Sequence, residues 1–124
     1  MLREHGRAAR LTTIRRYLGI DRNELGLLLG VRGETSLRAW EAGRDPIPVP
    51  IWGQLQDVLD RFDAEVDKLV EQAAAVEGDR VKIRVWRGRS DHQPLPQWWQ
   101  RIVSEAMRTD PRIEPVFPDD DEDD

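Results

Sequence analysis

The sequence contains no cysteine, only two lysines and two histidines, and one tyrosine in 124 residues. Without cysteine there is no disulfide framework, no thiol nucleophile and no cysteine zinc site. His5 and His92 alone offer at most a makeshift metal site with carboxylates, so no metal and no cofactor is expected. There is no serine–histidine constellation and no phosphate-cradling glycine loop, and the chain is not expected to be an enzyme. No apolar run approaches the ~18 residues of a membrane span, and nothing reads as a signal peptide. A soluble, cytoplasmic protein is therefore expected. The length suits one domain, or a small domain with an appendage.

Charge is abundant instead. Seventeen arginines and two lysines face 24 acidic residues, a net of −5. That total argues superficially against a nucleic-acid ligand, but its distribution matters more. Residues 1–56 carry nine Arg against six acids, and residues 81–113 carry seven basic groups against three acids. Residues 57–80 are net −5, and residues 114–124 hold seven acids with no basic residue. Two basic blocks thus remain as nucleic-acid surfaces, and the acidity belongs largely to the end of the chain.

The hydrophobic pattern orders the elements. Leu11, Ile14, Tyr17 and Leu18 make one helical face, closed by Gly19. Asp21 suits an N-cap with Glu24 three residues on, and Leu25, Leu28 and Leu29 follow before Gly30. Glu34 or Thr35 opens a third helix, whose inner face would hold Leu37 and Trp40, ending at Gly43. Pro46, Pro48 and Pro50 forbid a helix over 45–50 and predict an extended connector. From Ile51 to Ala73 the apolar residues Ile51, Leu55, Val58, Leu59, Phe62, Val66, Leu69, Val70 and Ala73 form a near-heptad seam. Residues 81–87 alternate apolar with basic, a half-buried strand. Residues 97–107 fit a last helix with Trp98, Ile102, Val103, Ala106 and Met107 inward. The acidic run 119–124 is expected to be disordered.

Two short helices joined by a glycine-containing turn, over 21–29 and 34–42, form the strongest functional signal. Such a pair places its second helix in the DNA major groove. That helix begins with the polar residues Arg32, Glu34, Thr35, Ser36 and Arg38. Arg32 and Arg38 suit a guanine edge, because a guanidinium matches O6 and N7 bidentately. Arg15, Arg16, Arg22 and Arg44 are the expected phosphate donors. Leu37 and Trp40 are expected in the core, and Glu41 in an ion pair with an Arg of the first helix.

The run Leu29-Gly30-Val31 … Ser36-Leu37-Arg38-Ala39-Trp40-Glu41-Ala42-Gly43-Arg44 … Pro46-Ile47-Pro48 resembles the phage-repressor (Cro/C1, XRE) helix-turn-helix family. Its Trp-Glu-x-Gly-x-x-Pro pattern, Trp40 to Pro46, is the specific part. The layout is similar to that of the anti-CRISPR-associated (Aca) and YdiL-like repressors, although the turn near Gly33 carries one extra residue. The resemblance implies a mainly α, lambda-repressor-like bundle with a small C-terminal strand-plus-helix dimerisation region. By motif position it places Glu34, Thr35, Ser36, Arg38 and Ala39 near the groove. It also implies a transcriptional repressor of double-stranded DNA that controls its own operon.

The expected division is a DNA-binding domain over 1–60, a dimerisation region over 61–113, and a disordered acidic tail over 114–124. A lone strand cannot form a sheet within one chain, so its edge is expected to pair with a second copy. The expected homodimer interface comprises Val81, Ile83, Val85, Trp86, Trp98, Trp99 and Ile102. Two other function classes stay open: a protein–protein module such as an antitoxin or phage inhibitor, and an RNA-binding regulator using Lys82, Arg84 and Arg87. A sharper role for the tail is competition with phosphate for the arginine surface.

Overall fold

The computed structural model describes residues 3–4, 6–31 and 34–121. It is mainly helical, and it divides into two compact units, Met1–Arg61 and Phe62–Asp124. No helix of the described residues is long and apolar enough to cross a membrane.

The first unit contains α1 (Ala8–Tyr17), α2 (Arg22–Leu29), α3 (Thr35–Glu41) and the first part of α4 (Pro50–Ala74). Leu11, Leu18, Leu25 and Leu37 are fully enclosed, and Ile51, Leu55 and Val58 of α4 join them in the core. Full burial of one such side chain contributes about 1.5–3 kcal/mol. The start of α2 follows from Asp21, whose Oδ1 accepts the Glu24 amide at 2.9 Å. The end follows from Gly30, which takes a left-handed conformation (φ 69°) that a Cβ would strain. That turn lets the Val31 amide reach back to the Gly26 carbonyl at 2.9 Å, closing the helix. The proline-rich connector forms a strand, β2 (Ile47–Pro48), which pairs antiparallel with β1 (Arg3–Glu4); Pro50, expected in the connector, instead opens α4, where a missing amide costs nothing.

The second unit contains the rest of α4, then β3 (Val81–Arg84), α5 (Pro96–Thr109) and β4 (Ile113–Val116). Phe62, Val66, Leu69 and Ala73 continue the buried seam of α4 into this unit. Phe62 meets Trp98 of α5 edge-to-face, with centroids 5.7 Å apart. Arg112 closes the C-terminal end of α4. Its Nη2 donates to the Ala73 carbonyl at 2.9 Å and its Nη1 to the Val76 carbonyl at 2.7 Å. Asp110 holds that guanidinium in place through Nε at 3.0 Å and Nη2 at 2.8 Å.

Here the structure corrects three expectations. The strand is shorter than 81–87, and it finds its partner within the chain. β3 runs parallel to β4, with Val81 opposite Ile113 and Arg84 opposite Val116. A parallel pair needs a crossover, and α5 supplies it. The argument that a second copy must complete the sheet therefore falls.

The outer edge of β3 is also occupied. Val81 and Val85 direct their amides to β4, so the even-numbered residues present their backbone to the other side. There Trp99 Nε1 donates to the Arg84 carbonyl at 2.7 Å, and Gln100 Nε2 to the Trp86 carbonyl at 2.6 Å. On β4, Pro115 has no amide to offer. Both edges are thus guarded by side chains or by proline.

The expected interface residues are accordingly redistributed. Val81, Val85, Trp98 and Ile102 are buried within their own unit, and Ile83, Trp86 and Trp99 are half-buried. The tail boundary moves as well. Residues 113–116 form β4 and Pro118–Asp120 a 3-10 turn, so the chain is ordered through Asp121. Residues 122–124 of the expected tail lie outside the described residues.

Candidate nucleic-acid interface

α3 packs against both α1 and α2. Its residues differ widely in exposure. Leu37 is fully enclosed and Ala39 is 2% exposed, while Thr35 and Arg38 face solvent and Ser36 is half-buried. Glu34 occupies the N-cap position without a side-chain capping bond and is exposed, with its Oε1 accepting from Arg38 Nη2 at 2.8 Å. The Glu34 and Arg38 side chains are 47% and 60% exposed, an arrangement that water and salt weaken readily. The outward face of α3 therefore presents a hydroxyl pair, a carboxylate and a guanidinium.

Ala39 was expected beside the groove, and the structure moves it to the core. Trp40, expected to share the inner face with Leu37, is half-buried instead. Leu37 keeps its expected place, and Ala39 takes the fully buried position expected for Trp40. Arg32 and Gly33, in that turn, lie outside the described residues.

Glu41 is the anchor of α3. Its side chain is 3% exposed. Arg15 Nε donates to Oε2 at 2.8 Å and Arg15 Nη2 to Oε1 at 2.9 Å, a two-point grip. Thr12 Oγ1 adds a third hydrogen bond at 3.0 Å, and Arg22 Nη2 lies 3.5 Å from Oε1. Arg15 Nη1 also donates to the Ile20 carbonyl at 3.0 Å, tying down the loop between α1 and α2. Burial is the strongest single influence on the Glu41 carboxyl and opposes its ionisation. Arg15, Thr12 and Arg22 together outweigh that cost and hold the carboxyl below its ordinary value. One carboxylate thus links α1, the α1–α2 loop and α3.

The four expected phosphate donors divide accordingly. Arg16 and Arg44 are exposed. Arg15 is drawn inward onto Glu41 and serves the interior. Arg22 stands between: its Nη2 faces Glu41, while its Nε is buried with no hydrogen-bond partner. The expected ion pair of Glu41 with an arginine of the first helix is present.

One cationic feature escaped the sequence reading. The Arg7 and Arg10 guanidinium carbons lie 5.6 Å and 5.9 Å from the Trp52 ring centroid. Arg7 and Arg10 are three apart, which sets them on one side of α1, but nothing in the local pattern points to Trp52, some forty residues on. Among the described residues, no group of three His, Asp or Glu side chains is placed to hold a metal ion. No family model matches the chain, and no curated protein matches it.

Proposed function

We propose that the chain is a sequence-specific, double-stranded DNA-binding repressor that acts as a homodimer on an inverted repeat and controls its own operon. The observation that carries this reading is the α2–turn–α3 pair. α3 is pinned from behind by Glu41 and Leu37, and it offers Glu34, Thr35, Ser36 and Arg38 on its outward face. A helix held in this way meets base edges with a defined set of side chains. Arg38 suits a guanine edge, Glu34 a cytosine amino group, and Thr35 and Ser36 bases or phosphates. Arg16 and Arg44 supply exposed charge for the backbone on either side.

Each copy carries one reading helix, so a two-fold operator takes two copies, with half-sites about 34 Å apart or at the spacing the dimer sets. Strand pairing across β3 does not supply that interface. Repression follows from steric exclusion of polymerase at the promoter. No catalytic step and no cofactor is invoked.

A salt-dependent gel shift on the DNA upstream of the chain's own gene tests the reading. The expected result is a discrete complex that survives excess unrelated duplex. Failure to bind any duplex at low salt would remove the reading and favour a protein–protein module.

A further inference from the structure

The second unit holds a basic face that the helix-turn-helix reading leaves unused. Arg80 precedes β3, Lys82 and Arg84 alternate along it and Arg87 follows it, four basic side chains within eight residues. The end of the same chain lies on this face. Asp121 Oδ1 accepts from Lys82 Nζ at 2.8 Å, and Asp119 Oδ2 lies 3.2 Å from Arg87 Nε. The Arg87 guanidinium also stacks 3.9 Å from the centroid of Phe117. A groove lined by Arg80, Lys82, Glu114, Phe117, Asp120 and Asp121 runs between the two.

The carboxylates of Asp119 and Asp121 therefore engage the cations that a nucleic-acid backbone would engage through its phosphates. Their hold is unequal. Asp121 is 8% exposed, whereas Arg87 and Asp119 are 59% and 67% exposed. A pair as open as the second contributes little in water and is screened by salt. A polyanion that presents contiguous phosphates also gains from releasing its condensed counterions, which two separate carboxylates do not.

We propose that this face is a second, sequence-indifferent DNA-backbone surface, and that residues 118–121 cover it in the free protein as an intramolecular competitor. The inference shares with the repressor reading only the assumption that the chain meets duplex DNA. It adds a source of non-specific affinity in a different unit from base recognition.

The test compares the full chain with a chain ending at Phe117 and with the full-length Asp119→Asn/Asp121→Asn variant. Cutting after Phe117 keeps β4, whose Ile113 is fully enclosed. Binding is read by fluorescence anisotropy on a short duplex of arbitrary sequence over a salt series. Both variants are expected to bind about three- to tenfold tighter at low salt. The slope of log affinity against log salt should steepen by about 1 to 2, one increment for each phosphate newly engaged. Adding Lys82→Gln/Arg87→Gln should abolish the gain. Unchanged affinity in both variants overturns the proposal. A gain that survives Lys82→Gln/Arg87→Gln overturns it too, because the tail would then act through net charge alone. A gain seen on single-stranded RNA and not on duplex DNA also overturns it. The arbitrary duplex keeps this outcome separate from the repressor reading, which fails only if the full chain shows no preference for its upstream DNA.

Discussion

Glu41 shows how one residue sets the geometry of a reading surface. Its carboxylate is nearly inaccessible and satisfied by Arg15 and Thr12. Glu41→Gln keeps the shape but leaves the Arg15 guanidinium facing a neutral group, at an expected cost of about 1–3 kcal/mol at pH 7. The pH dependence has a definite sign. The folded carboxyl titrates below its ordinary value of 4.5. The stability it contributes is therefore present above that value and lost as pH falls through the lower folded one. Thermal unfolding of the two proteins should differ at neutral pH and converge in acid, and a gap that widened in acid would contradict the assignment. Arg38, about one turn earlier in α3, is exposed where Glu41 is enclosed, and it does different work. Arg38→Ala should leave the fold intact, weaken operator binding by about 1–3 kcal/mol and relax preference at one base pair. Arg44→Ala should weaken all duplexes alike. Competition binding against operators altered one base pair at a time separates the two outcomes.

Elements differ in how openly the sequence declares them. α2 was legible because each end has its own chemical marker, Asp21 at the start and Gly30 at the finish. Asp21→Ala should cost about 0.5–2 kcal/mol by orphaning the Glu24 amide. A denaturant midpoint that shifts without a change of slope would show it. α4 was legible because its seam repeats over many turns. β4 was hidden, since Ile113-Glu114-Pro115-Val116 is short, holds a proline and runs into the acidic end. Its strand character comes from partners far away in sequence: β3 supplies the ladder and the core encloses Ile113. The proline that argued against a strand is tolerated because it faces an unpaired edge. β1, two residues long, is likewise defined only by Ile47 and Pro48 across from it. In α3 the spacing of Leu37 and Trp40 gave the right helix and the right place for Leu37, but it missed the burial of Ala39. A seven-residue helix has too few turns to fix its buried face when small Ala39 competes with bulky Trp40.

For the molecule as a whole, the largest revision concerns what the apolar residues of the second unit are for. Alternation in 81–87 and the Trp pair of α5 looked like surfaces awaiting another chain. With β4 in place they close on themselves: Trp98 lies against Phe62 and Glu65, Val81 and Val85 are buried, and Ile102 is fully enclosed. In the first unit, by contrast, Glu34, Thr35 and Arg38 are exposed and Ser36 half-buried, because polarity at a helix start is a local property. The two sources of burial make opposite demands on a thermal experiment. If Ile102 packed across a dimer, Ile102→Ala would lower the unfolding midpoint most at low protein concentration, where mass action already favours separation. Because Ile102 is fully enclosed within one chain, Ile102→Ala should cost about 2–5 kcal/mol through lost transfer energy and the cavity left behind. The size of that destabilisation should stay the same across a wide range of protein concentrations. A penalty that shrank as concentration rose would return Ile102 to an interface between copies.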